Sequence, residues 1–187
     1  WEEDISKYEG KYRKGWSQIR MDRFEQMKGN VLDPNWELTK EDPANPDWNN
    51  IENKDWEDLR MATYSAQIEQ MDRGIGKIVD KLKKIGELEN TIIMFAADNG
   101  GCAEFLAEDS NQPNPNQFNN PGPDGRKVNF GNIPNLRPGP ADTFMSYDLP
   151  WANLSNTPFR LFKRWVHEGG ISTPFIVHWP KKINHDI

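Results

Sequence analysis

The sequence has a single cysteine, Cys102, and no apolar run that approaches the length of a membrane span. One cysteine cannot form an internal disulfide framework, and a transmembrane helix needs about 20 consecutive apolar residues. Positive charge is also in short supply, because the formal net charge is −6. A general nucleic-acid binder needs a basic face. The sequence therefore predicts neither a membrane span nor a nucleic-acid partner.

Hydrophobic residues are scarce as well, at 35% of the chain. Eight Trp and nine Phe nevertheless distinguish the chain from a disordered polyelectrolyte. Its 187 residues fit one domain or part of a larger one. The chain starts at Trp1 and stops at Ile187, soon after an apolar run typical of a strand. We expect residues 1–187 to be an internal fragment that is truncated at both ends.

Two segments show the apolar spacing of helices. Residues 15–28 form the first, and Gly29 and Asn30 supply a stop signal after it. The second covers residues 55–85 and is followed by Gly86. Its apolar side chains recur every three or four residues: Met61, Tyr64, Ile68, Met71, Ile75, Ile78, Val79 and Leu82. We interpret this stripe as a packing face.

Two apolar runs are typical of strands. Residues 91–97 are wholly apolar after a β-branched start, which suits a strand covered on both faces, as in a parallel sheet flanked by helices. Residues 173–179 form the second run, and Pro174 and Pro180 near its ends favour a position near a sheet edge. A helix, a glycine turn and a buried strand in succession predict an α/β fold.

Long loops are predicted over residues 30–54 and 106–150. The first is rich in Pro, Asn, Asp and Trp, and we expect Trp36 and Trp48 to pin it. Within the second, residues 109–141 are dominated by Asn, Pro and Gly without apolar periodicity, which indicates a surface loop.

The first candidate site is Asp98-Asn99-Gly100-Gly101, directly after the predicted strand 91–97. Ligands of open α/β sheets bind beyond the carboxyl ends of strands. A carboxylate beside an amide oxygen suits a hard cation such as Ca²⁺ or Mg²⁺, and the glycines would leave space for an incoming group. The alternative is an ordinary Asn-Gly turn. Two ligands do not hold such a cation, so any remaining ligands must lie elsewhere.

The second candidate site is Lys163, which has Arg160, Arg164 and His167 as sequence neighbours. A lysine can hold an anionic oxygen as a point charge, and a histidine can act as acid or base. An ordinary solvated basic turn with a structural histidine explains the same residues. Cys102 has no assignable catalytic base, so we interpret it as a buried or idle thiol.

Several ordered blocks of the sequence resemble the formylglycine-dependent sulfatases, and most of all their arylsulfatase branch. The first group of blocks is YSAQIEQMDRGIG at 64–76, NTIIMF at 90–95 and DNGG at 98–101. The second group is SNTPFRLFK at 155–163 and EGGISTPFIV at 168–177. The resemblance covers nearly the whole chain, and five blocks in the right order are more specific than any one of them.

This resemblance implies part of an alkaline-phosphatase-like α/β sandwich, with a mostly parallel sheet flanked by helices, and the hydrolysis of a sulfate ester. In that family a formylglycine hydrate attacks sulfur while Ca²⁺ orients the reacting oxygens. By the family pattern, Asp98 and Asn99 are two metal ligands, and Lys163 is the catalytic lysine that contacts the sulfate. The family also implies a sulfated small molecule or sulfated glycan as substrate, and a periplasmic or secreted location.

The sequence departs from the family at the nucleophile. The family modifies a cysteine in a Cys-x-Pro/Ala-Ser-Arg segment, whereas Cys102 is followed by Ala103-Glu104-Phe105. The early acidic pair that completes the metal site is not recognisable either. In the family these elements precede the region seen here, so we expect this chain to be inactive by itself.

Two other hypotheses stay open. A phosphatase or phosphodiesterase of the same superfamily would use two transition metals with histidine among their ligands. Only three histidines occur, at 167, 178 and 185, and none lies beside Asp98 in sequence. The other hypothesis is a non-catalytic piece in which some of the tryptophans form a carbohydrate-stacking surface.

Overall fold

The computed structural model describes residues 2–106 and 121–183. It contains five α-helices within these ranges: α1 Glu2–Ser6, α2 Trp16–Met27, α3 Lys54–Lys84, α4 Asp148–Ser155 and α5 Glu168–Ile171. Short 3-10 turns occupy Trp48–Asn50 and Leu88–Asn90. The described strands are β1 Ile93–Ala96, β2 Asn129–Phe130, β3 Thr143–Phe144 and β4 Phe175–His178.

Both predicted helices are confirmed, with ends that differ by one residue from the expected ones. The long helix α3 carries acidic residues in its first turn and three lysines in its last, which complements the helix dipole. Gly86 follows it at φ 75°, and the backbone N–H of Glu87 donates to Leu82 O at 3.0 Å. A glycine in this left-handed conformation ends the helix, as its place in the sequence indicates.

An aromatic cluster joins α2, the loop before α3 and α4. Trp151 of α4 is fully buried, and its ring meets those of Trp16 and Trp48 edge to face at 5.5 and 6.1 Å between centroids. Trp16 and Trp48 are themselves 4.8 Å apart. Edge-to-face contacts are a favourable aromatic geometry. The cluster therefore anchors the loop that residues 31–53 form, while Trp36 contacts Phe159 at 5.7 Å.

The short helix α1 lies against α3. Ile5 packs with Ala62 and Ala66 in a second buried cluster, and the small alanines allow the two helices to approach closely. An ion pair from Arg73 to Asp4 at 2.8 Å continues the contact toward the solvent. In the predicted stripe itself, Met61 is buried in the aromatic cluster and Tyr64 packs against it, so the packing role is confirmed at these two residues.

The apolar stripe beyond Tyr64 is different. Ile68, Met71 and Ile78 are exposed apolar side chains among the described residues. The 3-10 turn Leu88–Asn90 contacts α3, and Ile75, Val79 and Leu82 are half-buried, so the described residues cover this part of the stripe only in part.

The two predicted strands pair with each other, but not as expected. β1 runs antiparallel to β4, with Ile93 opposite His178 and Ala96 opposite Phe175. Met94 and Phe175 are 62% and 64% exposed, so the expectation of a strand covered on both faces is wrong for the described structure. An apolar run predicts a strand, but whether that strand is covered depends on the elements that pack against it, which the run itself does not specify.

The described sheets are small, with β1 beside β4 and β2 parallel to β3. Helices and strands confirm a mixed α and β composition, but the described residues do not form a mostly parallel sandwich. The predicted loop 106–150 contains β2, β3 and the start of α4, and its residues 107–120 lie outside the described ranges. None of the described helices combines the length and apolar character that crossing a bilayer requires.

Candidate active site

Asp98 and Asn99 follow the carboxyl end of β1, as the sequence predicts. The Asp98 side chain is exposed, and Asn99 is half-buried. The Asn99 amide nitrogen donates to Gly100 O at 3.0 Å, which leaves the amide oxygen available. A free carboxylate beside a free amide oxygen is a donor pair that a hard cation accepts.

These two side chains do not make a complete metal site. Within residues 2–106 and 121–183 no group of three or more His, Cys, Asp or Glu side chains could hold a metal ion. A calcium ion takes six to eight oxygen ligands. A metal bound at Asp98 and Asn99 therefore requires further oxygen ligands beyond those that the described residues bring together.

The two glycines after Asn99 serve close packing. A Cβ added to Gly100 would lie 1.7 Å from Gly169 O, and one added to Gly101 would lie 2.6 Å from the Tyr147 hydroxyl. The space beside both glycines is thus filled by protein, and the expectation that it receives an incoming group is wrong. The reason is that residues 169–170 press against this turn, where the Gly100 N–H donates to Gly170 O at 3.0 Å.

The segment that carries Lys163 lies directly against the same turn. The backbone N–H of Lys163 donates to Gly101 O at 3.0 Å. The two candidate sites, 65 positions apart by their numbers 98 and 163, are thus neighbours in the fold. The Lys163 ammonium lies 3.7 Å from a Glu104 carboxylate oxygen, and both side chains are partly exposed. Sequence reasoning did not single out Glu104.

Asn156 connects the two segments through its side chain. Its amide oxygen accepts the Gly101 N–H at 2.8 Å, and its amide nitrogen donates to Leu161 O at 2.9 Å. Sequence reasoning missed this residue, although it lies in the block 155–163 that resembles the sulfatases. An asparagine before a proline-containing turn carries no signal of a contact 55 residues away.

The backbone around Lys163 is unusual. Leu161 and Arg164 have φ values of 63° and 95°. Residues other than glycine seldom adopt this left-handed region, which costs on the order of 1–3 kcal/mol at each position. The surrounding contacts must hold this conformation, and Lys163 lies between the two residues.

Comparison with known proteins identifies the family of this chain. The sulfatase family model matches residues 6–186. The chain belongs to the sulfatase family. The resemblance stated from the five sequence blocks is thereby confirmed.

Individual sulfatases match over nearly all of the chain. An uncharacterized sulfatase of Schizosaccharomyces pombe is 33% identical over 99% of this chain and 32% of its own length. An arylsulfatase of Klebsiella aerogenes is 29% identical over 98% of this chain and 38% of its own length. An N-acetylglucosamine-6-O-sulfatase of Bacteroides thetaiotaomicron matches over 21% of this chain at 45% identity. The chain spans about a third of the length of the first two.

The three basic sequence neighbours of Lys163 in this sulfatase chain take no part in the hydrogen bonds that join Gly101, Asn156 and Lys163. Arg160, Arg164 and His167 are exposed. His167 immediately precedes α5, where its carbonyl oxygen accepts the Gly170 N–H at 2.7 Å. This contact is made by the backbone, so the imidazole has no role that the geometry of the described residues supports.

Cys102 lies at the border of a cavity of about 490 Å³ between α3 and residues 138–147. It is a free, half-buried cysteine, in keeping with the interpretation as an idle thiol. Tyr147 also borders the cavity and stacks on Tyr64 with 4.8 Å between ring centroids. Burial raises the pKa of Tyr147, so its hydroxyl stays protonated at neutral pH and is unsuited to act as a base there.

Three of the seven tryptophans that the structure describes pack against one another. Trp16 and Trp151 are buried, and Trp48 packs against both. Buried rings cannot stack on a carbohydrate. The described structure therefore gives little support to a stacking surface made of tryptophans, although Trp36 and Trp165 are exposed.

Proposed function

We propose that this chain is part of a longer sulfatase, called here the parent enzyme, which hydrolyses a sulfate ester in the manner of an arylsulfatase. One observation carries the proposal: the segments of Asp98–Asn99 and Lys163 are joined through Gly101 and Asn156. A cation site and a lysine that are held side by side suit a substrate with a negatively charged transferring group. Family membership supplies the independent support.

Asp98 and Asn99 are proposed as two ligands of Ca²⁺ in the parent enzyme. The exposed carboxylate and the free amide oxygen of these residues fit a hard cation. Bound there, Ca²⁺ would supply electrostatic stabilisation of charge on the transferring sulfuryl group. We expect the remaining metal ligands and the formylglycine nucleophile in the part of the parent enzyme outside this chain. Residues 1–187 alone are therefore expected to be inactive.

Lys163 is proposed as the catalytic lysine that binds the sulfate. A positive ammonium group neutralises charge that develops on the sulfate oxygens and the leaving oxygen. In the described structure the same ammonium lies near the Glu104 carboxylate. A partly exposed ion pair of this kind is weak, at about 0–1 kcal/mol, so the monoanionic sulfate ester can displace Glu104 without a large penalty.

The proposal extends to the setting of the reaction. The parent enzyme would have the alkaline-phosphatase-like sandwich, act on a sulfated small molecule or a sulfated glycan, and reside in the periplasm or outside the cell. The exposed apolar side chains of β1 and β4 support a larger sheet, since strands in such sandwiches bury both faces.

The test is an assay of the purified parent enzyme on 4-nitrophenyl sulfate and 4-nitrophenyl phosphate, with and without a calcium chelator. We expect hydrolysis of the sulfate ester, a much slower reaction with the phosphate ester and loss of activity on chelation. Faster hydrolysis of the phosphate ester would instead identify a phosphatase of the same superfamily. Absence of turnover with either ester, in a parent enzyme that carries the Cys/Ser-x-Pro/Ala-Ser-Arg segment in its modified form, would refute the proposal.

A further inference from the structure

The side chain of Asn156 accepts one hydrogen bond and donates another. Its amide oxygen accepts from the Gly101 N–H, on the turn that follows Asp98 and Asn99. Its amide nitrogen donates to Leu161 O, two residues before Lys163. We propose that Asn156 is a positioning residue that sets the distance between the proposed metal ligands and the proposed catalytic lysine. This inference rests on the proposed sulfatase function.

The two bonds belong to a closed set of contacts. Gly101 offers its N–H to Asn156 and its carbonyl oxygen to the Lys163 N–H, at 2.8 and 3.0 Å. Asn156 then returns to the Lys163 segment through Leu161. Gly101 therefore joins the turn after β1 to the lysine segment through two hydrogen bonds, and the third bond, from Asn156 to Leu161, fixes Asn156 within that segment.

Only an amide satisfies both contacts from position 156. The Gly101 N–H needs an acceptor and the Leu161 carbonyl needs a donor. An ionised aspartate has the same shape as asparagine, but it can only accept, so its second oxygen would face the Leu161 carbonyl oxygen with like partial charge. Alanine makes neither bond and leaves both backbone groups without a partner.

The bond to Leu161 acts where the backbone is least favourable. Leu161 has a φ of 63°, and Arg164 has a φ of 95°. Because such conformations persist only when their surroundings hold them, loss of the Asn156 bond frees the segment to relax. Lys163 lies between the two residues, and its ammonium would move with the backbone relative to Asp98.

The close packing of this region makes such a movement costly for catalysis. Gly100 and Gly101 leave no space for an added Cβ, so the turn has one way to dock against residues 156–170. Displacement of a catalytic group by about 1 Å can reduce a rate about 100-fold. Partners that orient ligands and catalytic groups typically contribute about 10–100-fold.

Asn153, on the helix α4 that ends just before Asn156, offers a matched control. It lies three positions before Asn156, is fully buried, and accepts contacts from Asp42 N–H at 3.4 Å and Asn45 Nδ2 at 3.3 Å. These contacts hold the loop before α3 and do not involve Gly101 or Lys163. Replacement of Asn153 should therefore lower stability without a specific effect on the reaction.

The experiment compares the parent enzyme with its Asn156→Asp, Asn156→Ala and Asn153→Ala variants. Each is assayed on 4-nitrophenyl sulfate at a temperature well below its melting point, with inorganic sulfate as a competitive inhibitor. We expect both Asn156 variants to lose about 10–100-fold in kcat and to bind sulfate more weakly. For Asn153→Ala we expect a lower melting temperature with kcat and the sulfate inhibition constant unchanged.

The outcomes separate the possible readings. Wild-type kcat and sulfate binding in Asn156→Asp, the isosteric variant, would overturn the positioning role even if Asn156→Ala fails to fold. A loss in Asn153→Ala that equals the loss in the Asn156 variants would also overturn it, because the effect would then be general destabilisation. A wild-type parent enzyme that hydrolyses no sulfate ester refutes the proposed function itself, and the positioning role falls with it.

Discussion

The indole N–H of Trp151 donates to a carboxylate oxygen of Glu57 at 2.9 Å, and this bond joins α4 to α3. The other oxygen of Glu57 accepts from Arg60 at 3.0 Å. Arg60 is itself almost fully buried, and its guanidinium also lies over the Trp56 ring and 3.9 Å from Asp148. A buried charge pair thus lies at the centre of the packing that brings residues 148–163 to β1.

Loss of the Glu57 charge should destabilise the parent enzyme. Glu57→Gln keeps an oxygen for the Trp151 indole but leaves the buried Arg60 charge poorly compensated, so we expect a loss of about 3 kcal/mol. A thermal unfolding experiment measures it as a drop of several degrees in melting temperature. Burial raises the pKa of Glu57, and the contacts with Arg60 and Trp151 counteract part of this rise. These two partners therefore stabilise the charged carboxylate form of Glu57.

Asp55 provides the control for this prediction. It lies two residues earlier in α3 and pairs with Arg13 at 3.1 Å, and both side chains are largely exposed. Asp55→Asn should change stability by no more than about 1 kcal/mol. Equal losses of stability in Asp55→Asn and Glu57→Gln would show that the buried Glu57–Arg60 pair stabilises the fold no more than an exposed ion pair does.

Replacement of Lys163 should impair the reaction much more than it impairs folding. In the parent enzyme, Lys163→Ala removes a positive charge proposed to meet the sulfate, and we expect kcat/KM to fall about 100- to 1,000-fold. Lys163→Arg should restore only part of it, because a planar guanidinium does not replace a compact ammonium group. Steady-state kinetics on 4-nitrophenyl sulfate measures both.

Lys181 is the matched control for Lys163. It is exposed, and its described contact is a backbone N–H donated to Glu89 O. Lys181→Ala should leave kcat/KM unchanged. If Lys163→Ala keeps wild-type kinetics, the assignment of Lys163 to the sulfate is wrong.

Asp98 should be required for calcium binding in the parent enzyme. Calcium that binds only the folded state raises the melting temperature, and the rise grows with the logarithm of the calcium concentration divided by its Kd. Asp98→Asn removes one charged ligand, so we expect the calcium-dependent shift to shrink and to need higher calcium concentrations. Differential scanning fluorimetry across a calcium titration measures this shift.

Asp80→Asn on the exposed side of α3 serves as the comparison. It should retain the full calcium-dependent shift of the wild type. A full shift in Asp98→Asn as well would place the calcium site away from the turn after β1.

The isolated 187-residue chain should associate or fold only in part. Met94 on β1, Phe175 and Ile176 on β4, and Ile78 on α3 are exposed apolar side chains, and a two-stranded sheet has open edges. We expect light scattering to show species larger than a monomer. Replacement of Met94 by lysine should raise the monomer fraction, whereas Met21→Lys on α2 should have less effect.

A sharp, reversible, two-state melt of a monomeric wild-type chain would contradict this prediction. Such a melt would mean that residues 1–187 bury enough apolar surface to fold alone. The exposed face of β1 and β4 would then need no cover from the rest of the parent enzyme.

The sequence by itself determined the two longest helices, the two apolar strand segments and the family. Apolar spacing every three or four residues, with Gly29 and Gly86 after the helices, located α2 and α3 because helix formation depends mainly on nearby residues. The blocks around Asp98 and Lys163 identified the sulfatase family because several motifs occur in order. The sequence did not predict which side chains of those blocks contact each other, because spacing along the chain does not specify the distance between segments in the fold.

The tertiary structure decided what the local pattern left open. The antiparallel pairing of β1 with β4, the steric need for a glycine at position 100, and the bond between Asn156 and Gly101 all join residues more than 50 positions apart. Such contacts depend on how whole segments dock and on which backbone groups then need partners. The sequence alone does not distinguish an asparagine or a glycine that ends a surface turn from one that connects two segments of a site.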